Sequence, residues 1–112
     1  RQSMEIEFLV AAAVELTKLD RKYRGLAAKV QAQVEAIADG ADDGKRLPGT
    51  AGLWEVKVKL NTMEFRVIYS LEKAPSGGGL MLCVKAFRKN TVKLPKNELD
   101  AAITRLKQWR NG

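Results

Sequence analysis

Lysine and arginine side chains offer the clearest chemistry in this 112-residue chain. The stretch "LWEVKVKL" places Lys57 and Lys59 two residues apart, and "MEFRVIYSL" carries Arg66. Side chains two apart in a strand lie on one face, and a turn at about Leu60–Met63 would make the two strands neighbours. Because clustered cations repel one another unless an anion relieves them, this pattern indicates a site for a phosphate backbone.

The stretch "AFRKNTVKLPKNEL" adds further cations beside that face. Arg88 and Lys89 leave the preceding strand, where they can border the face, and Lys93 and Lys96 follow them. Such a stretch is either a solvated connector without function or the rim of a polyanion site. A half-exposed sheet also carries lysines on its wet face for solubility alone, so both interpretations of the lysines stay open.

The other titratable residues limit the chemistry. The chain has no histidine, which removes the commonest general base and the commonest zinc ligand. Cys83 is the single cysteine, so no intrachain disulfide can form, and we expect a small packed side chain there. We therefore expect no metal and no cofactor, and any catalysis must use Lys, Arg, Asp, Glu, Tyr or Ser.

The net charge of +7 is confined to the second half of the chain. Residues 1–50 carry eight basic and eight acidic side chains, whereas residues 51–112 carry twelve basic and five acidic ones. This asymmetry suggests a nucleic acid or another anionic surface as partner.

Length and hydropathy favour one domain over residues 4–112, with the three residues before Met4 outside it. No apolar run approaches the roughly 18 residues of a membrane span, and the N-terminus shows no signal-like segment. We therefore expect a cytoplasmic protein without a membrane partner.

Hydrophobic periodicity predicts the elements that position the cations. Residues 4–10 alternate as a first strand, with Ile6, Phe8 and Val10 on one side. Two helices follow at about 11–23 and 26–38. Three strands at 53–60, 63–71 and 80–87 and a helix after Pro95 complete the chain.

The predicted order is β-α-α-β-β-β-α, which indicates an α+β domain with a mainly antiparallel four-stranded sheet and helices packed on one face. The helices would cover Trp54, Val56, Phe65 and Val67, and Tyr69 would be packed on the same side. The opposite face, with its lysines, would be at least partly open to water.

Two segments, "LWEVKVKLNTMEFRVIYSL" and "AFRKNTVKLPKNELDAAITRLKQW", resemble the RelE/ParE superfamily of type II toxin–antitoxin toxins. The similarity is to its HigB-like or phage Gp49-like branch, and it covers the chain from Met4 onward. RelE-type members are ribosome-dependent mRNA endoribonucleases. The resemblance thus implies a RelE-like fold and attack of a ribose 2′-hydroxyl on the adjacent phosphate.

The resemblance also implies roles for individual residues. Lys57 and Lys59 would act as the base or its electrostatic support, and Arg66 would stabilise the transition state. Lys89, or its neighbour Arg88, would be the acid or a phosphate clamp. The candidate RNA-binding residues are Lys85, Arg88, Lys93 and Lys96.

The chain departs from the superfamily pattern in two ways. RelE-type toxins often stack a tyrosine from the C-terminal segment on a base, but "KLPKNEL" holds no aromatic residue. Other HigB members use histidine, which is absent here. A ParE-like gyrase inhibitor, a non-catalytic nucleic-acid-binding module and a scaffold that only binds a partner therefore remain alternatives.

A toxin of this kind implies protein and RNA partners. The resemblance implies a cognate antitoxin, commonly a helix-turn-helix DNA-binding protein, together with the ribosome and its mRNA. An acidic or amphipathic antitoxin segment would complement the basic half of the chain.

Overall fold

A computed structural model describes residues 3–112, so Arg1 and Gln2, which belong to the segment expected to precede the domain, lie outside the described residues. Three helices and five strands form within this range. The elements are β1 (Glu5–Phe8), α1 (Val10–Lys22), α2 (Leu26–Ala38), β2 (Lys45–Arg46), β3 (Leu53–Leu60), β4 (Met63–Lys73), β5 (Gly79–Lys89) and α3 (Lys96–Asn111).

The strands form one sheet in the order β1-β5-β4-β3-β2. The three long strands pair antiparallel in chain order, and β1 lies parallel to β5. The sequence predicted four strands, and the structure adds β2, whose two residues pair with Trp54 and Glu55 of β3. A two-residue strand in a loop rich in Gly, Asp and Pro leaves no alternation for a sequence pattern to detect.

The first two helices cover the face that the sequence assigned to the core. Leu26, Val30 and Val34 of α2 pack against Val56 and Phe65, and the partly buried Leu16 and Leu19 of α1 join this cluster. Apolar residues at helical spacing thus meet apolar residues at strand spacing, which confirms the α+β prediction.

The third helix lies on the opposite face, so the prediction that all helices pack on one face was wrong. Ala102 and Leu106 of α3 are fully buried and share a second cluster with Ile68, Leu82 and Val84. Helical periodicity tells which side of α3 is apolar, but it does not tell which side of the sheet receives that helix. The continuous apolar run in "LMLCV" did indicate that both faces of the sheet are covered at this strand, since a strand buried on both faces loses its alternation of apolar and polar residues.

The first strand is shorter than predicted. It ends at Phe8, and Val10 begins α1 with 80% of its surface exposed instead of facing the core. At the other end of the chain Pro95 precedes α3 with φ −61°, as its ring favours at a helix start. No helix within residues 3–112 is both long and apolar enough to cross a membrane.

Candidate functional site

Strand register brings four of the predicted site residues to one face of the sheet. Lys57 pairs with Arg66, Lys59 pairs with Glu64, and Glu64 pairs in turn with Lys89. Because neighbouring strands lie about 4.8 Å apart, the three strands place these side chains within a patch roughly 10 Å wide. We call the set Lys57, Lys59, Arg66 and Lys89 the cation face; it lies on the α3 side of the sheet, where Lys57 and Lys59 remain exposed.

Arg66 is the buried member of the cation face, with 6% of its surface exposed. Its Nε donates to Glu55 Oε1 at 2.9 Å, and its Nη1 donates to Glu64 Oε1 at 2.9 Å. The remaining nitrogen, Nη2, makes no hydrogen bond within the described residues and is not fully buried. Arg66 also lines a groove of about 370 Å³ beside β3, whose charged lining includes the carboxylates of Asp42, Asp43 and Glu55 as well as Lys45 and Lys57.

The exposed lysines of β3 act on Glu64, the β4 carboxylate opposite Lys59. The hydrogen bond from Arg66 holds the pKa of Glu64 below its usual value, and the positive charges of Lys57 and Lys59 lower it further. Glu64 is therefore ionised at neutral pH. With Glu55 and Glu64 counted against its four cations, the face keeps an excess of two positive charges, and this falls to one when Asp42, Asp43 and Lys45 of the adjoining groove are included.

Lys89 organises the loop that follows β5. Its Nζ donates to the carbonyl oxygens of Thr91 and Val92, both at 3.0 Å. A groove of about 360 Å³ lies between this loop and the β3–β4 turn, with Glu64 in its lining. The Lys89 ammonium thus fixes the loop at the border of the cation face and keeps one further proton for another acceptor.

Arg88 points to the opposite side of the sheet. It pairs with the buried Phe65, its Nη1 donates to the Tyr23 hydroxyl at 2.8 Å, and its guanidinium lies 5.4 Å from the Tyr23 ring centroid. Burial alone would raise the pKa of Tyr23, but hydrogen bonds from Arg88 and Lys22 bring it below its usual value. Of the two neighbours that the sequence left as alternatives, Lys89 joins the cation face and Arg88 does not.

Lys85 lies away from the cation face, in an ion-pair network that joins three elements. Its side chain is 11% exposed, and its Nζ contacts Glu15 of α1 and Glu98 of α3, the latter at 2.8 Å. Arg105 binds the same Glu15 through both terminal nitrogens and donates to the Val84 carbonyl at 2.9 Å. The network satisfies the Lys85 charge internally, so the structure does not present Lys85 as an RNA-binding residue.

The two remaining RNA-binding candidates are on the surface. Lys93 lies in the loop after β5 and Lys96 begins α3, and both are exposed. They extend positive charge from the cation face toward the start of α3.

The buried tyrosine and cysteine take no part in the site. Tyr69 is 2% exposed in the α2-side core, and burial raises its pKa to about 12. Burial likewise raises the pKa of Cys83 to about 12. The interpretation of both as packed side chains is confirmed, and neither can act as an acid or base near neutral pH.

The sequence analysis missed the residues that surround the cation face from distant segments. Gln33 of α2 and the loop residues Asp42 and Asp43 line the same groove as Arg66. The aspartates were visible in "GADDG", but their composition indicated only a turn. Glu15 lies 70 residues from Lys85 in the chain, and no local pattern reports such a contact.

The phage-derived protein Gp49-like family matches residues 14–107, a range that runs from α1 into α3 and contains the whole cation face. It is a RelE/toxin-like family, and the match is compatible with the toxin of a toxin–antitoxin system. No curated protein matches the chain. With most of its length matched, this chain belongs to the phage-derived protein Gp49-like family.

Proposed function

We propose that this protein is the toxin of a toxin–antitoxin pair and that it cleaves ribosome-bound mRNA at the cation face. The observation that carries the proposal is the register that sets Lys57, Lys59, Arg66 and Lys89 around one patch of the sheet. Family membership supports the toxin part of the proposal. Cognate antitoxin, ribosome and mRNA are then the expected partners.

The proposed reaction is attack of a ribose 2′-hydroxyl on the adjacent phosphorus. The 2′-oxygen loses its proton and bonds to phosphorus, and the bond from phosphorus to the 5′-oxygen of the next nucleotide breaks. The products are a 2′,3′-cyclic phosphate and a 5′-hydroxyl, so no external reactant is needed. The reaction requires a base, a stabiliser for the added negative charge and an acid for the leaving oxygen.

The cation face offers a group for each task. Lys57 and Lys59 flank the position of the 2′-hydroxyl, where they would act as the base or its electrostatic support. The Arg66 guanidinium would stabilise the negative charge that develops on the phosphate oxygens. Lys89, at the border of the patch, supplies the proton for the leaving 5′-oxygen or clamps the phosphate.

One observation favours a different target. Among residues 3–112, the aromatic side chain that the register places beside the cations on this face is Phe87, which pairs with Arg66 and is 4% exposed in the α3 cluster. The face therefore has no exposed ring on which a base could stack, whereas a toxin that inhibits DNA gyrase would need none.

A translating extract separates the two functions. We expect the wild-type protein to yield primer-extension stops within the coding region of a translated mRNA and none on the same RNA without ribosomes. The ends should carry a 2′,3′-cyclic phosphate and a 5′-hydroxyl. If the mRNA stays intact and the protein inhibits DNA supercoiling by purified gyrase, the proposed nuclease function is wrong and gyrase inhibition takes its place.

A further inference from the structure

The outer side of α1 carries an apolar groove that the fold leaves uncovered. Val10, Ala13, Val14 and Thr17 recur at helical spacing, and together with Phe8 at the end of β1 they line a groove of about 440 Å³. Val10 is 80% exposed and Val14 is 46% exposed. Two neighbouring valines on one helix turn thus face solvent, while the inner side of α1 packs on the sheet.

The polar atoms of the groove are arranged so that its middle stays apolar. The Thr17 hydroxyl donates to the Ala13 carbonyl at 3.0 Å, which satisfies it within the helix. Lys18 and Arg21 line the end of the groove nearest the C-terminus of α1. The groove is therefore apolar at one end and basic at the other.

The two carboxylates of α1 do not neutralise this basic end. Glu15 points inward to Arg105 and Lys85, and Asp20 accepts a hydrogen bond from the backbone N–H of Ala27 at 2.9 Å. No acidic residue among those described lines the groove. Its cations are thus exposed to a partner that brings its own carboxylates.

We propose that this groove binds an amphipathic helix of a partner protein, with apolar side chains over Val10 and Val14 and an acidic end against Lys18 and Arg21. The distance from Val10 to Arg21 along the helix is about 17 Å, which fits about three turns of a partner. An antiparallel partner places its acidic residues in its own first turn, where its dipole also favours them. The identification of this partner as the antitoxin rests on the proposed function. The preference of the groove for such a helix does not depend on that function.

Two other occupants fit the groove less well. A second copy of the chain would bring its own Lys18 and Arg21 but no free α1 carboxylate to meet them. A helix that binds a membrane surface commonly projects Trp, Phe or Leu and carries basic residues along its polar face. Here the apolar surface is two valines beside a groove, with the cations gathered at one end.

Two synthetic peptides test the proposal with the full-length protein. Both are 14-residue fluorescein-labelled helices with one leucine stripe, and they differ only in three glutamates or three lysines in the first turn. Fluorescence anisotropy should show binding of the glutamate peptide at least tenfold tighter than of the lysine peptide. High salt should weaken the tighter complex.

Protein variants locate the binding to the groove. The exposed position of Val14 lets Val14→Glu fold, and it should weaken the glutamate peptide at least tenfold. The double substitution Lys18→Glu and Arg21→Glu should reverse the preference toward the lysine peptide. Equal binding of both peptides, or binding unaffected by these substitutions, would overturn the proposal.

The same variants test whether a second copy of the chain or a membrane surface occupies the groove instead. The proposal would also be overturned if the wild type sediments as a dimer and Val14→Glu dissociates that dimer. It would be overturned as well if the protein binds vesicles of phosphatidylserine and phosphatidylcholine through Val14 and shows no preference for the glutamate peptide. The groove variants should leave mRNA cleavage at the wild-type rate. A wild-type protein that fails to cleave mRNA but discriminates between the peptides would refute only the proposed function.

Discussion

The Arg66 guanidinium is held in one orientation, because Glu55 and Glu64 each hold one of its nitrogens at 2.9 Å. A donor fixed in this way stabilises developing negative charge without having to reorganise during the reaction. Loss of the arginine would also destabilise the fold, since it leaves the mostly buried Glu55 carboxylate without its partner. If the proposed function holds, Arg66 serves both stability and chemistry.

Substitution of Arg66 should affect both properties. We expect Arg66→Gln to lower mRNA cleavage at least 100-fold per folded molecule. We also expect it to cost about 3 kcal/mol of unfolding free energy in urea. Arg66→Lys keeps the charge but cannot hold both carboxylates, so it should recover only part of each loss. The exposed Arg24 serves as the control, and Arg24→Gln should change neither the cleavage rate nor the stability. If folded Arg66→Gln cleaves mRNA at the wild-type rate, Arg66 has no role in the site.

Lys89 has a structural task that its sequence position does not reveal. Its two hydrogen bonds to the Thr91 and Val92 carbonyls should order the loop that leads to α3. We expect Lys89→Met to raise amide hydrogen exchange at residues 90–94 at least tenfold while the sheet keeps its protection. Lys93→Met, which changes an exposed lysine in the same loop, is the matched control. Unchanged exchange in Lys89→Met would show that the loop is ordered by other contacts.

At the scale of the elements, the sequence predicted those features of the fold that residues close together in the chain determine. The alternation in "LWEVKVKL" and "MEFRVIYSL" placed Lys57, Lys59 and Arg66 on one face, and the hairpin made their strands neighbours. The side of the sheet taken by α3, the strand β2 and the partners of Lys85 depend on contacts distant in sequence. Such contacts are set by packing of the whole domain, so a single sequence pattern does not contain them.

The network of Glu15, Lys85, Glu98 and Arg105 joins α1, β5 and α3, and it should make stability depend on pH. Burial by itself raises the pKa of Glu15, but hydrogen bonds from Arg105, Lys85 and the Ala86 N–H bring it below its usual value. A lowered native pKa means that the contribution is fully present above about pH 4.3, the value in the unfolded chain. It is lost as the pH falls through the native pKa.

We therefore expect Glu15→Gln to destabilise the protein by about 2 kcal/mol at pH 7, and by less near pH 3. Urea unfolding at the two pH values measures this difference. Glu35→Gln, which changes an exposed residue of α2, should have little effect at either pH. An equal loss at pH 7 and pH 3 would show that Glu15 acts through packing and not through its charge.

At the scale of the whole molecule, positive charge is concentrated in the second half of the chain, which contains the cation face and the exposed Lys93 and Lys96. Contacts between these lysines and phosphates would make affinity for single-stranded RNA fall with salt. We expect the double substitution Lys93→Gln and Lys96→Gln to reduce the slope of log affinity against log salt by about 1.4. Fluorescence anisotropy measures this slope.

Lys18→Gln with Lys22→Gln removes the same amount of charge from α1, away from the cation face. This double variant should keep the wild-type slope. If both double variants lower the slope equally, the RNA responds to net charge and the lysines near the cation face have no special role.

The most direct test of the account asks whether the exposed lysines of the cation face are needed for mRNA cleavage. Primer extension on a translated mRNA would compare the wild type with Lys57→Gln, Lys59→Gln and the control Lys107→Gln, an exposed lysine of α3. Since substitutions at exposed positions change stability little, the variants should remain folded. The account predicts coding-region stops with the wild type and Lys107→Gln, and at least 100-fold slower cleavage for Lys57→Gln or Lys59→Gln. Undiminished cleavage by both lysine variants would contradict it.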